Sequence, residues 1–382
     1  MLLLVLQVLC SWVPHLNVIN ELKGTVALAG SSHVHRLKFA RLYAHQMKNC
    51  SSSQMEALAL GKKTGVLLVN TGTPEQYTYF SIRKFLAEFL SDRRVIELPR
   101  IIWLPILYLF VLTRRPFKKR NCYKSIWNAE KNESPLRTIS RNQALHLATR
   151  LESRLFDVEW AFRYGNPSIS SSIQALKDRG CNRLLLFPLF PQFAGPTTAT
   201  IVDEVFRCLS KQRHQMSLRV VSPFFDNDVY ITAVVKKIQE KLDNLDFSID
   251  AIIFSYHGLP VDYCLKGDPY EVQCEETTRL LKQKLSYDGQ FFTTYQSRYG
   301  KGKWLQPYTE DMVVELAKSN IKNLLIVTPG FLGDCIETVR EIAAELESKF
   351  RENGGQRFVL VSCLNDSPEG IDMLETIVYD NV

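Results

Sequence analysis

Short apolar runs alternate with amphipathic stretches along most of the chain, beginning near residue 64. The apolar runs are rich in leucine and β-branched residues, which is typical of strands buried on both faces of a parallel sheet. The stretches between them place apolar residues three or four positions apart, as one face of a helix does. This alternation predicts βαβ units. The predicted strands are 65–70, 158–164, 183–188 and 217–221, followed by 251–255, 291–297, 323–329 and 358–362, and the clearest predicted helices are 142–155, 169–179, 229–242 and 271–285.

The two sets of strands meet near residues 223–228, which predicts an α/β fold of two Rossmann-like domains whose parallel sheets are flanked by helices. We expect an N-terminal domain at 63–225 and a C-terminal domain at 226–382, with the last helix a candidate to pack back on the first domain. Ligands of such folds bind at the carboxyl ends of the strands, so the cleft between the domains is the expected active site. No dinucleotide or Walker fingerprint follows any predicted strand.

The first 62 residues have a different composition from the rest of the chain. An apolar start is followed by a Ser-rich, basic stretch at 31–63 with a single acidic residue, Glu56. A secretory signal is one interpretation, and a mis-assigned translation start, with Met55 as a candidate true start, is the one we prefer. We expect residues 1–62 to form a poorly ordered N-terminal extension.

The composition narrows the class of protein. The chain has 382 residues, 46% hydrophobic and 23% charged, and a formal net charge of +7, which suits an anionic small molecule or a membrane surface. Without a finger spacing or a basic stripe interleaved with aromatic residues, nucleic acid is not an expected partner. The nine cysteines form no C-x-x-C pair, and their odd number indicates reduced thiols in a cytosolic-type compartment. We therefore expect a cytoplasmic protein.

A histidine leaves one of the predicted buried strands. His257 lies in the stretch SYHGLP, 255–260, directly after an apolar run. A neutral imidazole at the edge of a cleft can serve as a base or a metal ligand, although a histidine bonded to its own loop is as good an interpretation of its position alone.

A line of carboxylates follows a strand of the same half. In the stretch TPGFLGDCIETVRE, 328–341, Asp334 is placed to cap a helix, and 334, 337 and 341 would then share one helix face. From the spacing alone, a solvated cap with a charged stripe is the more common explanation. An imidazole with two or three carboxylates would suit ferrous iron, and too few thiols lie nearby for a soft-metal or cluster site.

The segment 101–112 is apolar and contains Trp103 and Tyr108, yet it is too short to cross a membrane. A core helix and an exposed lip that meets a lipid-soluble ligand or a bilayer surface are both open. Aromatic and basic residues are also suited to a large planar anion, although each alone is more often core or surface filler: Arg114, Arg115, Tyr123, Trp127, Tyr164 and Trp304.

Taken in order, these segments resemble the ferrochelatase family, the terminal enzymes of haem synthesis, from about residue 65 to residue 364. The matching stretches are LLVNTGTP (67–74), FLAEFLSDRRVIELPR (85–100), YKSIW with SPL (123–136), PLFPQF with TT (188–198), FSYHGLP (254–260), KGDPY with QC (266–274), YQSRYG with WLQPYT (295–309), PGFLGDCIET (329–338) and CLND (363–366).

The resemblance implies a class II chelatase-like fold and insertion of ferrous iron into protoporphyrin IX to give protohaem. It places His257 and Glu337 at the metal and Glu341 at an acidic position that helps to move protons or metal. The positions that contact porphyrin in the family correspond to Arg115, Tyr123, Ser134 and Tyr164, and we add Trp304 as an aromatic candidate.

Two departures from the family pattern affect the expectations. Asn132 and Glu133 stand where glycine is usual, next to the expected porphyrin contact of Ser134. The tail after Cys363 has no cysteine, and Gly195 stands where some members place the fourth ligand of an iron–sulfur cluster. We therefore expect no cluster and no permanently bound cofactor, since iron is a substrate.

Two other functions stay open at this point: a related chelatase that acts on cobalt or nickel, and a non-catalytic carrier of porphyrin or haem. Peripheral contact with a membrane and the oligomeric state are also open.

Overall fold

The structure is a computed structural model that describes residues 63–298 and 302–382. The predicted N-terminal extension, residues 1–62, lies outside the described residues, and so does the candidate start at Met55.

The described residues contain two parallel sheets of four strands each. The strands are β1 Thr64–Gly72, β2 Phe156–Tyr164, β3 Arg183–Pro188, β4 Ser217–Val220, β5 Ala251–His257, β6 Gln290–Gln296, β7 Asn323–Val327 and β8 Arg357–Leu360. The order is β2-β1-β3-β4 in the first sheet and β6-β5-β7-β8 in the second. This arrangement confirms the predicted α/β fold with two Rossmann-like halves.

Helices connect the strands, as parallel pairing requires. They are α1 Tyr79–Leu90, α2 Arg100–Ile106, α3 Leu112–Ile126, α4 Pro135–Arg150, α5 Ile169–Asp178, α6 Thr200–Leu209, α7 Asp228–Asp243, α8 Val261–Leu265, α9 Tyr270–Lys284, α10 Thr309–Lys318, α11 Glu347–Glu352 and α12 Pro368–Asp380. Three further segments are π-helical: π1 Leu107–Val111, π2 Gly195–Ala199 and π3 Glu337–Leu346.

The central strands form where the sequence is continuously apolar. In β1, the side chains from Val66 to Val69 are fully buried, and those of Ala251 to Phe254 in β5 are buried as well. A strand covered on both faces buries every side chain, which explains why these runs do not alternate with polar residues.

One predicted helix has different bounds in the structure. The helix predicted at 142–155 is α4, which begins at Pro135 and ends at Arg150. Its start is fixed by Ser134, whose hydroxyl accepts a hydrogen bond from the backbone N–H of Arg137 at 3.3 Å, and by a proline in the first turn.

The two sheets contribute to the same apolar core. The largest cluster of buried side chains includes Val66 and Phe187 from the first sheet, Phe254 and Leu325 from the second, and Leu374 of α12. Helix α12 also lies against α4, where Asn142 Nδ2 donates to Asp366 Oδ2 at 2.8 Å just before α12 begins. The domain boundary proposed at residues 225 and 226 stays a prediction.

The apolar segment 101–112 is helical and continues without a break into α3. One side packs inward, since Trp103 and Leu107 are buried. The other side is exposed, and Ile101 and Leu109 are 86% and 65% accessible to solvent. Within the described residues, no helix combines the length and the apolar character needed to cross a bilayer.

Candidate active site

The imidazole of His257 lies at the carboxyl end of β5, next to β6. His257 pairs in register with Gln296, and the backbone N–H of Gly258 donates to the carbonyl of Gln296 at 2.7 Å. A Cβ atom on residue 258 would lie 2.8 Å from that carbonyl oxygen and 3.2 Å from the ring of Trp304. Only glycine allows the chain to turn this closely, so the turn holds His257 at the edge of the sheet.

One hydrogen bond indicates which ring nitrogen of His257 carries a hydrogen. His257 Nδ1 lies 2.7 Å from the carbonyl oxygen of Gly258. A carbonyl can only accept, so Nδ1 carries the hydrogen and, in the neutral ring, Nε2 keeps its lone pair. That nitrogen is the atom able to take a proton or bind a metal.

The two acidic residues of the site belong to π3. Its hydrogen bonds join residues five apart, so one turn holds more residues than the 3.6 of an α-helix. Glu337 begins π3 and Glu341 follows four residues later, about one turn away. The wider turn therefore keeps both carboxylates on one side of the helix.

Both carboxylate oxygens of Glu341 have partners. Lys119 Nζ forms an ion pair with Oε1 at 2.9 Å, and the hydroxyl of Ser297 donates to Oε2 at 2.7 Å. Burial would raise the pKa of Glu341, but the charge and hydrogen bond of Lys119, the bond from Ser297 and the nearby His257 hold that pKa below its usual value. Glu341 is therefore a carboxylate that stays ionised.

Glu337 lies near two buried side chains that can donate a hydrogen bond, those of Tyr123 and Cys335. Burial raises the pKa of Tyr123 well above its usual value, and the negative charges of Glu337 and Glu341 raise it further. Burial likewise raises the pKa of the Cys335 thiol, which donates a hydrogen bond to Glu337. Tyr123 and Cys335 both stay protonated beside the carboxylate, so each can act as a donor.

Glu337 and Glu341 lie on the same side of π3, but within the described residues no three His, Cys, Asp or Glu side chains are close enough together to hold a metal ion in this state. Glu341 lies within electrostatic reach of His257, and both carboxylates act on Lys119 and Tyr123. Asp334, which the sequence suggested as a cap on the same face, does not join them. Its carboxylate instead accepts hydrogen bonds from the side chains of Asn365 at 2.7 Å and Thr338 at 2.9 Å.

The loop before Ser134 has Asn132 and Glu133 at the positions where the family pattern has glycine. Asn132 has a φ of 49°, in the left-handed region that asparagine tolerates better than most residues. Glu133 is buried and accepts from Thr138 at 2.6 Å and Arg141 at 2.9 Å. Burial would raise the pKa of Glu133, but these bonds hold it below its usual value. Ser134 itself is buried as the cap of α4.

Tyr164 belongs to a buried polar network at the end of β2. It is 1% exposed, and its hydroxyl donates to Asp92 Oδ2 at 3.0 Å. The same oxygen accepts from Arg163 and from Thr200, each at 2.5 Å. The ring of Tyr164 packs in one apolar cluster with Tyr123 and with Ile336, the neighbour of Glu337.

The two other expected porphyrin contacts are more accessible. Arg115 lies half-buried in α3, two turns before Tyr123. Trp304 is half-buried and forms an isolated bridge with Pro260, so its ring lies against the turn that follows His257.

Three groups near the site had no assigned role in the sequence analysis: Lys119, Ser297 and Asp92. Lys119 is 222 residues from its partner Glu341, and no spacing rule links such distant positions. Ser297 has a φ of 63°, which is unusual for a residue other than glycine and aims its hydroxyl at Glu341. Its place directly after a strand was the available signal.

A small cavity lies at the ends of β7 and β8, lined in part by Tyr230, Phe331 and Cys363. It has room for about one water molecule, so it does not compete with the site above as a place for a large ligand.

The family model for ferrochelatase matches residues 63–382. A protein named ferrochelatase from Brucella anthropi is 49% identical over 335 residues, which are 87% of this chain and 96% of that protein. A protein of the same name from Rhizobium meliloti is 47% identical over 330 residues, 86% of this chain and 97% of that protein.

Among solved structures, the sirohydrochlorin chelatase SirB from Bacillus subtilis subspecies spizizenii, in complex with cobalt, is similar with a TM-score of 0.49 at 12% identity. That likeness covers 83% of this chain and 94% of the other. It is too weak to carry an argument.

Proposed function

Because the chain belongs to the ferrochelatase family, we propose that it inserts ferrous iron into protoporphyrin IX at the site formed by His257, Glu337 and Glu341. The family makes it an enzyme of haem biosynthesis, a metal chelatase whose substrates are iron and a porphyrin. The observation that supports this site is the electrostatic interaction of His257, at the end of β5, with Glu341, which follows Glu337 by four residues on π3. The names of the relatives favour iron over cobalt or nickel, and an enzyme over a carrier.

Insertion of iron requires groups that bind the metal ion and groups that accept the pyrrole protons. Each Fe²⁺ that enters the ring displaces two pyrrole protons, so charge is conserved when both protons leave. The iron must also lose its bound water. A site that holds the ring bent would expose the nitrogen lone pairs and favour the transition state over the flat substrate.

His257 and Glu337 are the proposed first contacts of the iron. The lone pair on Nε2 of His257 and the carboxylate of Glu337 are borderline-hard ligands suited to Fe²⁺. Both oxygens of Glu341 are engaged by Lys119 and Ser297 in this state, so its part begins when one of those partners moves. The pyrrole protons would leave through His257 or through the line of Glu337 and Glu341.

Arg115 and Trp304 are the proposed direct contacts of the porphyrin, since both are partly accessible. The guanidinium of Arg115 would pair with a propionate, and the indole of Trp304 would pack on the macrocycle. Tyr123, Ser134 and Tyr164 are buried, so we propose that they shape the wall of the pocket.

We also propose that the chain carries no iron–sulfur cluster. At Gly195 the backbone N–H donates to Asp268 Oδ2 at 2.7 Å, and a Cβ atom there would meet the same oxygen at 3.4 Å. A carboxylate thus occupies the space next to the position where some family members place a cluster ligand.

The exposed apolar side of the segment 101–112 supports peripheral contact with a membrane, from a cytoplasmic location. The basic residues that follow it would favour an anionic surface. Such contact would bring the site close to the bilayer in which a hydrophobic porphyrin dissolves.

The test is an anaerobic turnover assay. Protoporphyrin IX fluoresces and its iron complex does not, so the purified protein with Fe²⁺ should quench many equivalents of porphyrin per protein molecule. Quenching of only one equivalent would indicate a carrier. Before iron is added, the same preparation should show no visible absorption from an iron–sulfur cluster.

The site is tested by His257→Ala and Glu337→Gln. Each should lower the rate of insertion by about 100-fold or more, because each removes a group that handles metal or protons. Porphyrin binding, measured by fluorescence polarisation, should change little. His146→Ala and Glu315→Gln are matched controls at exposed helical positions. Full activity in either site variant would exclude this assignment.

A further inference from the structure

One of the two carboxylates of the site, that of Glu341, already forms an ion pair with the ammonium of Lys119. Lys119 projects from α3, and its ammonium lies 2.9 Å from Glu341 Oε1. The side chain is only partly exposed, at 36%. Burial alone would lower the pKa of Lys119, but the charge and hydrogen bond of Glu341 and the charge of Glu337 raise it above its usual value. The ammonium is therefore charged and under the influence of both carboxylates.

A fixed positive charge at this place affects any other cation that approaches. With Lys119 present, the two carboxylates and the ammonium carry one net negative charge, and without it they carry two. A divalent ion is repelled by a neighbouring ammonium and must also displace it from Glu341 before that carboxylate can bind metal. The flexible four-carbon stem of lysine allows such displacement, since the group is a point charge without a rigid geometry.

We propose that Lys119 is a built-in competitor for iron: its ammonium occupies Glu341 in the resting enzyme, keeps the affinity of the site for divalent metal low, and yields its place when iron arrives. This inference rests on the proposed function. A site that delivers metal to another ligand must not trap it, and a tethered cation that re-forms its ion pair helps the metal to leave. Lys119 is in this sense a positioning residue, which acts through Glu341.

The test measures metal affinity in the full-length protein without porphyrin. Co²⁺ serves as the probe, by anaerobic titration calorimetry and by its visible absorption. Lys119→Met removes the charge and the hydrogen bond, and Lys119→Gln removes the charge but keeps a donor for Glu341. Lys119→Arg keeps the charge. Lys118→Met is the matched control, because Lys118 precedes Lys119 on the same helix, is exposed, and its loss changes the net charge equally.

We expect Lys119→Met and Lys119→Gln to bind Co²⁺ at least about tenfold more tightly than the wild type. Lys119→Arg and Lys118→Met should bind as the wild type does. In turnover with Fe²⁺, the two charge-removing variants should show a lower KM for iron together with a lower kcat, because the metal is released more slowly. A role limited to holding the fold would not tighten metal binding.

The inference is overturned if neither charge-removing variant binds Co²⁺ more tightly, or if Lys118→Met has the same effect, which would indicate only a long-range change in net charge. Glu337→Gln distinguishes this failure from a failure of the site itself. If Glu337→Gln weakens Co²⁺ binding while the Lys119 variants leave it unchanged, the metal site stands and the role of Lys119 falls. If Glu337→Gln has no effect on Co²⁺ binding, the proposed metal site fails.

Discussion

Asp92 is the centre of a polar cluster at the end of β2. Its carboxylate accepts hydrogen bonds from Thr200, Arg163 and Tyr164. Burial alone would raise the pKa of Asp92, but the bonds from Thr200 and the backbone of Arg94, with the charge of Arg163, hold it below its usual value. The ionised form therefore stabilises the folded state.

This linkage gives a prediction about stability and pH. Because the pKa of Asp92 is lower in the folded state, its ionised carboxylate stabilises the fold at any pH above the usual Asp pKa of about 3.9. This contribution is lost as the pH falls through the lower pKa of the folded state. Asp92→Asn should therefore lower the free energy of unfolding by about 1–3 kcal/mol at pH 7. The gap to the wild type should narrow below about pH 4, as measured by urea unfolding midpoints. The exposed Asp246→Asn is the control, and a gap independent of pH would contradict the prediction.

At the level of single residues, sequence motifs singled out His257, Glu337 and Glu341, and their joint role at a metal stays a prediction. β5 and β7 are neighbouring parallel strands, so His257 and the loop after β7 lie at the same edge of one sheet. The ion pair of Lys119 with Glu341 could not be anticipated, since it joins a helix of the first half to one of the second and depends on tertiary packing. Asn132 has a left-handed backbone conformation, which asparagine adopts more readily than most residues other than glycine.

At the level of elements, the apolar segment 101–112 packs one side into the core and leaves the other side exposed, and its contact with a lipid-soluble ligand or a bilayer stays a prediction. Trp103 donates from its indole to the carbonyl of Leu90 at 2.6 Å and anchors one side of the segment in the core. The opposite side is exposed at Ile101 and Leu109. Such a segment can meet a lipid surface without unfolding any part of the structure.

Lipid contact by this segment can be tested directly. Ile101→Glu or Leu109→Glu should weaken binding to mixed phosphatidylcholine–phosphatidylglycerol vesicles by about tenfold or more, because one buried apolar side chain contributes about 1.5–3 kcal/mol. Co-sedimentation gives the bound fraction. Phe206→Glu, at a position 57% exposed in α6, controls for a general effect of charge. Equal losses in all three variants would mean that this segment is not the lipid-binding surface.

The central strands β1, β3, β5 and β7 were predictable to within a few residues because each contains a continuous apolar run in a parallel sheet. The π-helical form of residues 337–346 was not, since a π-helix and an α-helix have the same composition and differ only in which carbonyl each N–H finds. The start of α4 was also missed, although Ser134 as N-cap, Pro135 at the first position and the buried Leu136 and Ile139 are signals for it.

At the level of the whole molecule, the two sheets are tied by one apolar core. Leu374 of α12 is fully buried and belongs to the same cluster as Val66 of β1 and Phe254 of β5. A substitution that disturbs the packing of α12 should therefore destabilise both sheets. The sequence indicated two sets of strands and a last helix that could pack back on the first domain, but it could not indicate which side chains of the two sheets share a core, because these contacts join distant parts of the chain.

Leu374→Ala should destabilise both halves together, by about 2–5 kcal/mol, through the cavity it leaves. Hydrogen exchange of the backbone amides of β1 and β5 under mild denaturant, followed by mass spectrometry, should show the same loss of protection in both strands. The exposed Leu145→Ala is the control. Loss of protection in β5 alone would show that the halves unfold independently.

The unbroken helical run from Arg100 to Ile126 has a mechanical consequence. Ile101 and Lys119 lie roughly 27 Å apart along its axis, one facing outward and the other beside Glu341. Pro105 and Pro116 each remove one backbone N–H from the helical hydrogen bonds, so this continuous run can bend at two positions. If its outer end moved at a lipid surface, the stiffness of the helix at these two prolines would decide how much of the movement reached Lys119 beside Glu341.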